Sequence, residues 1–388
     1  MPPEVEKIKI LFFIGTLRAG GKERRLIELL TYLKSKGLYE MEIVFTSYEI
    51  HYPDFFSLGI PFEVIKKEFS KNDPTVIYKF YNICKRKKPH IIHSWGKVQS
   101  FYTLPTIIFQ HISLINSQIT SAPPDTSKFS LENMVNQLIF HFSTVVLANS
   151  KAGIRAFYPP SNKSRLIYNG INLNRFENLP DKLQVKAKYS LNTPFVVVMI
   201  ASISPKKDYS MFYRVASKVM ARRTDVSFIG AGAYFPHDPE FKKITDLTQN
   251  NPNMHFVGRI NDVEALVNCC DIGMLFSPFG EGISNTLLEY MALGKPVIAN
   301  KIGGNTEIIT NNQNGYLVEN ESEEDISKLI IDLIDDEEKR ERFGAFSKQI
   351  IRDKFTIEKM GQAFEQVYQQ CSAERGKKIE PRKMSMSK

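Results

Sequence analysis

Residues 276–309 read FSPFGEGISNTLLEYMALGKPVIANKIGGNTEII, and this stretch carries the pattern that decides the fold. A strand-like apolar run ends near Ser277, and a glycine-containing loop follows it. A helix is then predicted to begin at Ser284 or Asn285, because serine and asparagine are favourable N-cap residues. Gly294 is predicted to end that helix before the next apolar run begins. The order strand, loop, helix, strand is the repeating unit of a parallel α/β sheet.

Short β-branched runs of the same kind recur along the chain, with helical patterns between them. In chain order they are KIKILFFI (7–14), EIVFTS (42–47), HIIHS (90–94), SLINS (113–117), VVLANS (145–150), RLIYNG (165–170), FVVVMIAS (195–202), VSFIG (226–230), MHFVG (254–258), DIGMLFS (271–277), KPVIAN (295–300) and GYLV (315–318). They predict an α/β protein of two Rossmann-like, doubly wound domains, since 388 residues exceed one ordinary core. We expect the two domains to face each other across a cleft that holds the functional site.

The boundaries follow from where the periodic pattern weakens. The polar stretch 172–193 separates a predicted N-terminal domain, 1–177, from a predicted C-terminal domain, 178–355. Residues 356–372 are predicted to form an amphipathic helix that returns to the N-terminal domain. The basic remainder, 373–388, is predicted to be a disordered tail.

The composition is that of a globular enzyme. Hydrophobic residues make up 43% of the chain and charged residues 24%, which excludes a disordered or fibrous protein. No apolar run approaches the roughly 20 residues of a membrane-spanning helix, and the N-terminus lacks the pattern of a secretory signal. Cys84, Cys269, Cys270 and Cys371 have no spacing typical of a zinc site or a disulfide framework. These features predict a cytoplasmic protein whose cysteines are reduced.

The net charge of +9 lies in the N-terminal half. Residues 1–180 hold 23 Lys and Arg against 14 Asp and Glu, whereas the remainder is balanced. This excess suits peripheral contact with an anionic membrane or a phosphate-bearing acceptor. The interleaved aromatic and basic residues of an RNA-binding module are missing, so we expect no nucleic-acid partner.

The helix after Ser284 is expected to bind a phosphorylated ligand. Its first-turn amides have no partner inside the helix, and the helix dipole adds partial positive charge there. Glu281 is predicted to lie in the preceding loop and Glu289 more than one turn inside the helix. This arrangement suits one carboxylate at a transferred sugar and one at a ribose, with a diphosphate between them.

The same stretch resembles the E-x7-E motif of the retaining enzymes in glycosyltransferase family 4, which have the two-domain GT-B fold. The resemblance rests on EG-x-SN-x-x-LE-x-MA-x-G-x-PV and on the following GG-x-x-E. It implies that Glu281 contacts the donor sugar near the reacting carbon and that Glu289 binds the ribose. The backbone of the segment between them is implied to hold the donor, through Gly282, Ile283, Ser284, Asn285 and Thr286.

Further donor-binding positions follow from the same resemblance. ASISPKKDYSMF (201–212) resembles the family's G-R-L-x-x-x-K-G segment, with Lys207 at the lysine and Ser202 in place of the arginine that would neutralise the diphosphate. Arg259 and Ile260, in HFVGRI, are also expected near the donor. Lys207 is therefore the leading candidate for the cation that balances the departing phosphate.

In the N-terminal half, Gly20 and Gly21 resemble the family's glycine-rich loop, and His93 resembles the first histidine of its H-x-H pair. His93 is assigned to the catalytic set with Glu281 and Lys207, although a satisfied core histidine is almost equally compatible with the pattern. Gln118 and Ile119 stand near the place where many members carry a histidine.

The predicted reaction is the retaining transfer of a sugar from a nucleoside diphosphate sugar, UDP by default, to a glycan or lipid-linked acceptor in surface polysaccharide or glycolipid synthesis. No DxD or HExxH occurs in the sequence, so neither a metal nor another cofactor is expected. The open alternatives are a non-catalytic nucleotide-sugar-binding regulatory subunit and another GT-B enzyme, such as a nucleotide-sugar epimerase or hydrolase.

Overall fold

The computed structural model describes residues 7–69, 72–124, 127, 129–235 and 237–379, and these form two compact units. The described residues of unit 1 fall in Met1–Thr120, Asp125–Gly170 and Ile357–Lys388. Unit 2 consists of Ser121–Pro124 and Ile171–Thr356. The chain therefore passes into unit 2 between Gly170 and Ile171, earlier than the predicted 177, and the short segment Ser121–Pro124 belongs to unit 2 as well.

Unit 1 contains a parallel sheet of seven strands in the order β3-β2-β1-β4-β5-β6-β7. The strands are β1 (Ile8–Ile14), β2 (Tyr39–Phe45), β3 (Phe62–Val64), β4 (Ile91–Trp95), β5 (Ser113–Ile119), β6 (Val145–Ala148) and β7 (Ser164–Leu166). The helices are α1 (Gly21–Lys36), α2 (Asp54–Ser57), α3 (Thr75–Lys87), α4 (Lys97–Gln110), α5 (Leu131–Phe142), α6 (Lys151–Phe157) and, at the other end of the chain, α15 (Ile357–Ile379). β1 and β4 are central and buried, which explains their almost continuous apolar sequence.

Unit 2 contains a parallel sheet of six strands in the order β10-β9-β8-β11-β12-β13. The strands are β8 (Phe195–Ile200), β9 (Val226–Ala231), β10 (Met254–Phe256), β11 (Ile272–Leu275), β12 (Val297–Asn300) and β13 (Gly315–Val318). The helices are α7 (Lys182–Lys188), α8 (Tyr209–Met220), α9 (Pro239–Thr248), α10 (Val263–Cys269), α11 (Asn285–Ala292), α12 (Asn305–Ile308), α13 (Glu323–Asp335) and α14 (Glu337–Lys354), with a 3₁₀ turn at Leu173–Phe176. The prediction of two doubly wound α/β domains is confirmed.

The last helix completes the core of unit 1. α15 packs against α1, where the Tyr32 hydroxyl donates to the Glu365 carboxylate over 2.7 Å. Its Phe364 and Tyr368 are fully buried in the same cluster as Phe12 and Trp95. The helix runs to Ile379, so the disorder predicted from 373 is wrong up to that residue, and 380–388 lie outside the described residues.

Each apolar run picked out in the sequence contributes a strand, whereas β3 was not predicted. β3 has only three residues, none fully buried, because it pairs on one side alone at the edge of the sheet. Among the described residues, no helix is long and apolar enough to cross a membrane.

Candidate functional site

The candidate site lies at the carboxyl ends of the strands of unit 2, because parallel strands end at one edge of their sheet. Lys207 follows β8, Arg259 follows β10 and Glu281 follows β11. Adjacent loops are tied together there: the backbone N–H of Asp208 donates to the carbonyl of Phe276 over 3.0 Å. The Asp208 side chain accepts from the N–H of Met211 at 2.8 Å and so caps α8, which fixes Lys207 just outside the helix.

Lys207 and Glu281 form an ion pair at this edge. Both side chains are mostly buried, with 15% and 23% of their surfaces exposed. The Ser277 hydroxyl lies 2.9 Å from the same oxygen of Glu281, so the carboxylate is held by two neighbours. Burial, followed by repulsion from Lys206, lowers the pKa of the Lys207 ammonium to about 7, while the Glu281 carboxylate in contact favours the charged form. A cation and a carboxylate are thus held together without being fully enclosed.

The loop that carries Glu281 needs glycine at its turn. Gly280 has a φ of +74°, in the left-handed region, and a Cβ there would lie 2.0 Å from the carbonyl oxygen of Ala122. The next residue, Glu281, forms an isolated antiparallel bridge with Ser121. The segment Ser121–Pro124 therefore packs directly on the loop and helps to set the Glu281 backbone.

Two consecutive glycines, Gly303 and Gly304, also pack against the loop that carries Glu281. The N–H of Gly304 donates to the carbonyl of Glu281 over 2.8 Å. A Cβ on Gly303 would come within 2.2 Å of the Glu281 carbonyl oxygen, and one on Gly304 within 2.3 Å of the Gly282 carbonyl oxygen. The GG pair therefore permits a backbone-to-backbone approach that no other residue type would allow.

Helix α11 begins at Asn285, as predicted, with Ser284 as its N-cap. The Ser284 side chain makes no capping hydrogen bond, although serine usually caps in this way. Gly282, Ile283 and Ser284 are buried, whereas Asn285 and Thr286 are partly exposed. The first turn thus faces the surface at the end of the loop that carries Glu281.

Glu289 lies inside α11 and is 7% exposed. A guanidinium nitrogen of Arg175 lies 3.0 Å from its carboxylate, and Arg175 also pairs with Glu264. The two carboxylates share one cation in a mostly buried cluster, which compensates the charge of Glu289. Arg175 could not be predicted from the sequence, because it stands alone in NRFEN with no recognisable pattern around it.

The remaining C-terminal candidates lie on exposed loops of the same edge. Ser202 and Arg259 are exposed, and Ile260 is partly exposed. Their loops are close, because the N–H of Gly232 donates to the carbonyl of Gly258 over 2.8 Å, and a Cβ on Gly232 would lie 1.7 Å from the carbonyl oxygen of Ala201. The structure thus places Ser202 and Arg259 at the edge that carries Lys207.

The position of His93 in the structure contradicts its assignment to the catalytic set. It lies within β4, is 0% exposed, and its two ring nitrogens are 2.8 Å from the Tyr368 hydroxyl and 2.7 Å from the Ser117 hydroxyl. Burial, with a smaller contribution from Arg25, lowers its pKa well below the usual value. The prediction that His93 acts in catalysis is therefore wrong, and the alternative of a satisfied core histidine describes it.

The other N-terminal candidates, Gly20 and Gly21, lie at the surface of unit 1. Gly20 is the N-cap of α1 and exchanges hydrogen bonds of 3.0 Å with the Tyr52 hydroxyl, and Gly21 opens the helix. The Gln118 amide donates to Asn136 over 3.0 Å, and Ile119 is fully buried. Of Gln118 and Ile119, only Gln118 has a polar side chain.

The described residues contain neither a cluster of metal ligands nor a disulfide bond. In the described part of the chain there is no group of three or more His, Cys, Asp or Glu side chains that could hold a metal ion. The four cysteines are free thiols and all are buried.

Comparisons with known proteins concern first the C-terminal unit. Residues 181–350 match the family model of glycosyl transferases group 1. An uncharacterized glycosyltransferase of Methanocaldococcus jannaschii is 23% identical over 247 residues, which cover 61% of this chain and 61% of that protein. The N-acetyl-alpha-D-glucosaminyl L-malate synthase of Bacillus anthracis is 25% identical over 83% of this chain and 89% of its own length. The chain spans only about three fifths of the first of these two relatives.

Solved structures show the fold. HepE of Anabaena, in complex with UDP and glucose, has a TM-score of 0.80 at 20% identity, covering 94% of this chain and all of that one. Sucrose-phosphate synthase of Thermosynechococcus elongatus has a TM-score of 0.77 at 17% identity and covers 95% of this chain and 100% of its own. Residues 181–350 are therefore similar to glycosyl transferases group 1, and the chain shares its fold of two Rossmann-like units with these solved structures.

Proposed function

We propose that this protein is a retaining, metal-independent glycosyltransferase that works in the cytoplasm. It takes a sugar from a nucleoside diphosphate sugar, with UDP as the expected nucleotide, and transfers it to a glycan or lipid-linked acceptor. The observation that carries this proposal is the Lys207–Glu281 ion pair beside the first turn of α11. It brings together the cation, the carboxylate and the helix terminus that a sugar diphosphate needs.

Each group has a distinct role in the proposed site. The Lys207 ammonium neutralises the diphosphate, whose negative charge grows as the sugar leaves. The Glu281 carboxylate accepts hydrogen bonds from hydroxyls of the sugar and orients its ring. When the donor binds, Lys207 moves its contact from Glu281 to phosphate, and Glu281 exchanges the ammonium for sugar hydroxyls. The pair in the free protein thus prevents either charge from being buried alone.

Glu289 is proposed to accept hydrogen bonds from the ribose hydroxyls. Arg175 compensates its charge from within the protein, so the carboxylate is positioned before the donor arrives. Asn285 and Thr286, at the partly exposed first turn, are proposed to meet the diphosphate and the sugar hydroxyls.

The reaction breaks the bond between the anomeric carbon and the phosphate oxygen and forms a bond from that carbon to the acceptor oxygen on the same face. The electron pair of the broken bond stays on the phosphate oxygen, beside Lys207. The acceptor hydroxyl loses its proton to that departing oxygen. No metal and no covalent enzyme intermediate is required for this balance.

The classes of donor and acceptor are proposed from the ligands and substrates of similar proteins. HepE is described in complex with UDP-glucose, and TarM of Staphylococcus aureus with UDP and an alpha-GlcNAc-glycerol. A sequence relative from Escherichia coli transfers galactose from its UDP form to a diphosphoundecaprenol-linked sugar. We therefore propose a role in the synthesis of a surface polysaccharide or glycolipid.

The test begins with a thermal-shift screen of UDP-glucose, UDP-galactose, UDP-N-acetylglucosamine and GDP-mannose. A true donor at a hundred times its dissociation constant should stabilise the protein by about 2.7 kcal/mol. Release of the nucleoside diphosphate is then measured for the wild type, for Glu281→Gln and for Glu338→Gln, which removes an exposed carboxylate of unit 2. We expect Glu281→Gln to lose turnover and Glu338→Gln to keep it.

Two results would replace the proposal. Tight donor binding without turnover, also in the presence of a polyprenyl-diphosphate-linked sugar, would make the protein a regulatory subunit. Conversion of the donor into its epimer would make it an epimerase. Normal turnover in Glu281→Gln would remove Glu281 from the site.

A further inference from the structure

The outer face of helices α4 and α5 in unit 1 is unusually apolar. Every exposed residue of α4 is apolar: Val98, Phe101, Ile108 and Phe109. On α5, Leu131, Met134 and Leu138 are exposed at a spacing that places them on one face of the helix. Phe109 is 71% exposed and Leu131 is 77% exposed. Isolated apolar residues are common on protein surfaces, but a cluster of this kind marks an interaction site.

The two helices form one continuous surface. α4 packs beside α5, and the Lys97 ammonium lies 2.8 Å from the Glu132 carboxylate where the two helices begin. Apart from this pair, α4 and α5 contain no Lys, Arg, Asp or Glu. The face defined by Phe101, Ile108, Phe109, Leu131, Met134 and Leu138, called here the α4–α5 face, is therefore nearly uncharged.

Basic residues flank this face on both sides. α3 packs beside α4 and ends in the exposed Lys85, whereas its Arg86 and Lys87 are paired with Glu63 and Glu42. On the other side, α6 carries the exposed Arg155. The Gln137 amide of α5 donates to the carbonyl of Phe157 over 3.0 Å, which joins α5 to the end of α6.

The charge of this part of the sequence is strongly one-sided. Residues 75–165, which include α3 to α6, hold 11 Lys and Arg against 2 Asp and Glu. This difference of nine equals the net charge of the whole chain, +9. The excess of positive charge therefore lies in the part of the sequence that contains α4 and α5, although Lys79, Arg86 and Lys87 are paired with acidic residues outside it.

We propose that the α4–α5 face is a docking surface for the interface of an anionic lipid bilayer. Apolar side chains that enter the boundary between headgroups and acyl chains gain by leaving water, and flanking cations gain from anionic headgroups. A second copy of the chain would explain the apolar face, but its equally basic flanks would repel those of the first copy. Lipid is the occupant that satisfies both observations.

The test is co-sedimentation with two kinds of vesicle, one of phosphatidylcholine alone and one of phosphatidylcholine mixed with phosphatidylglycerol. We expect the wild type to bind the anionic vesicles and to be released by salt. Phe109→Ser combined with Leu131→Ser should weaken binding by roughly tenfold or more. The matched control, Leu183→Ser with Phe235→Ser, removes two side chains of similar exposure from unit 2 and should leave binding unchanged.

The charges are tested separately. Lys85→Gln with Arg155→Gln should weaken binding to anionic vesicles by roughly fivefold for each side chain. Lys218→Gln with Lys242→Gln, two exposed lysines of unit 2, should have little effect. Thermal unfolding of each variant confirms that it is folded.

Three results would overturn the proposal: unchanged binding in the Phe109–Leu131 variant, an equal loss in the Leu183–Phe235 control, or a wild-type dimer that this variant converts to monomer. None of these measurements needs a donor or an acceptor, so their failure would leave the proposed function standing. Conversely, vesicle binding would persist in Glu281→Gln even if the proposed function were wrong.

Discussion

The two units differ in where the polar side chains near their central strands lie. In unit 1, His93 lies inside β4, where Tyr368 and Ser117 satisfy both ring nitrogens and no surface remains exposed. In unit 2, Lys207 and Glu281 lie beyond the ends of β8 and β11, where each is partly exposed and bonded to a charge that a ligand can replace. A polar residue on a strand serves the core, whereas one a few residues beyond the strand end can serve a ligand.

The largest effect is expected from Lys207→Met, which removes the charge while keeping a side chain of similar length. We expect kcat/KM for the donor to fall by about 10²- to 10³-fold, since one group that stabilises growing negative charge is lost. Steady-state kinetics with the donor found by thermal shift measure this effect. Lys206→Met is the control, because the Lys206 side chain is adjacent in sequence but exposed. Equal losses in both variants would show that only the overall charge of the loop matters.

The next effect concerns stability. His93→Ala should lower the free energy of unfolding by about 3 kcal/mol, because it opens a cavity in the core and leaves the hydroxyls of Tyr368 and Ser117 without their partner. The urea midpoint measures this change. The kcat/KM of the protein that remains folded should stay within about twofold of the wild type. A loss of activity comparable to that of Lys207→Met, with unchanged stability, would return His93 to the catalytic set.

The smallest effect is a pH dependence. The pKa of Lys207 in the free protein is lowered to about 7 by burial and by Lys206, so the ammonium is present below this pH and lost above it. We expect kcat/KM to decline as the pH rises through about 7, by at most tenfold per pH unit. Lys207→Arg keeps its charge throughout this range and should flatten the profile. His93, with its strongly lowered pKa, contributes nothing to it. A profile that is equally steep in Lys207→Arg would assign the titration to another group.

Most of the fold could be predicted because central parallel strands are buried on both faces and appear as unbroken apolar runs. β3 could not, since its three residues form an edge strand with little burial. The sequence also gives no sign that Ser121–Pro124 belongs to unit 2, because this depends on the contact between Ala122 and Gly280, which lie far apart in the chain.

The site could be predicted only where local order fixes it. The Glu281 loop and the start of α11 follow from glycine and N-cap residues a few positions apart. The burial of His93 involves Tyr368, which lies 275 residues further along the chain, so no local sequence pattern predicts this contact. Arg175 was missed for the same reason, since its partner Glu289 lies 114 residues away.

The packing of α15 on α1 has a consequence for biosynthesis. The strands of unit 1 are translated before most of unit 2, whereas Phe364 and Tyr368, which complete the core of unit 1, are translated after the end of unit 2 at Thr356. Until they emerge, the nascent chain exposes the apolar surface of α1 and β4 that they will cover. All of unit 2 precedes α15 in the sequence. Unit 2 can therefore fold before the helix that completes the core of unit 1 has been synthesised.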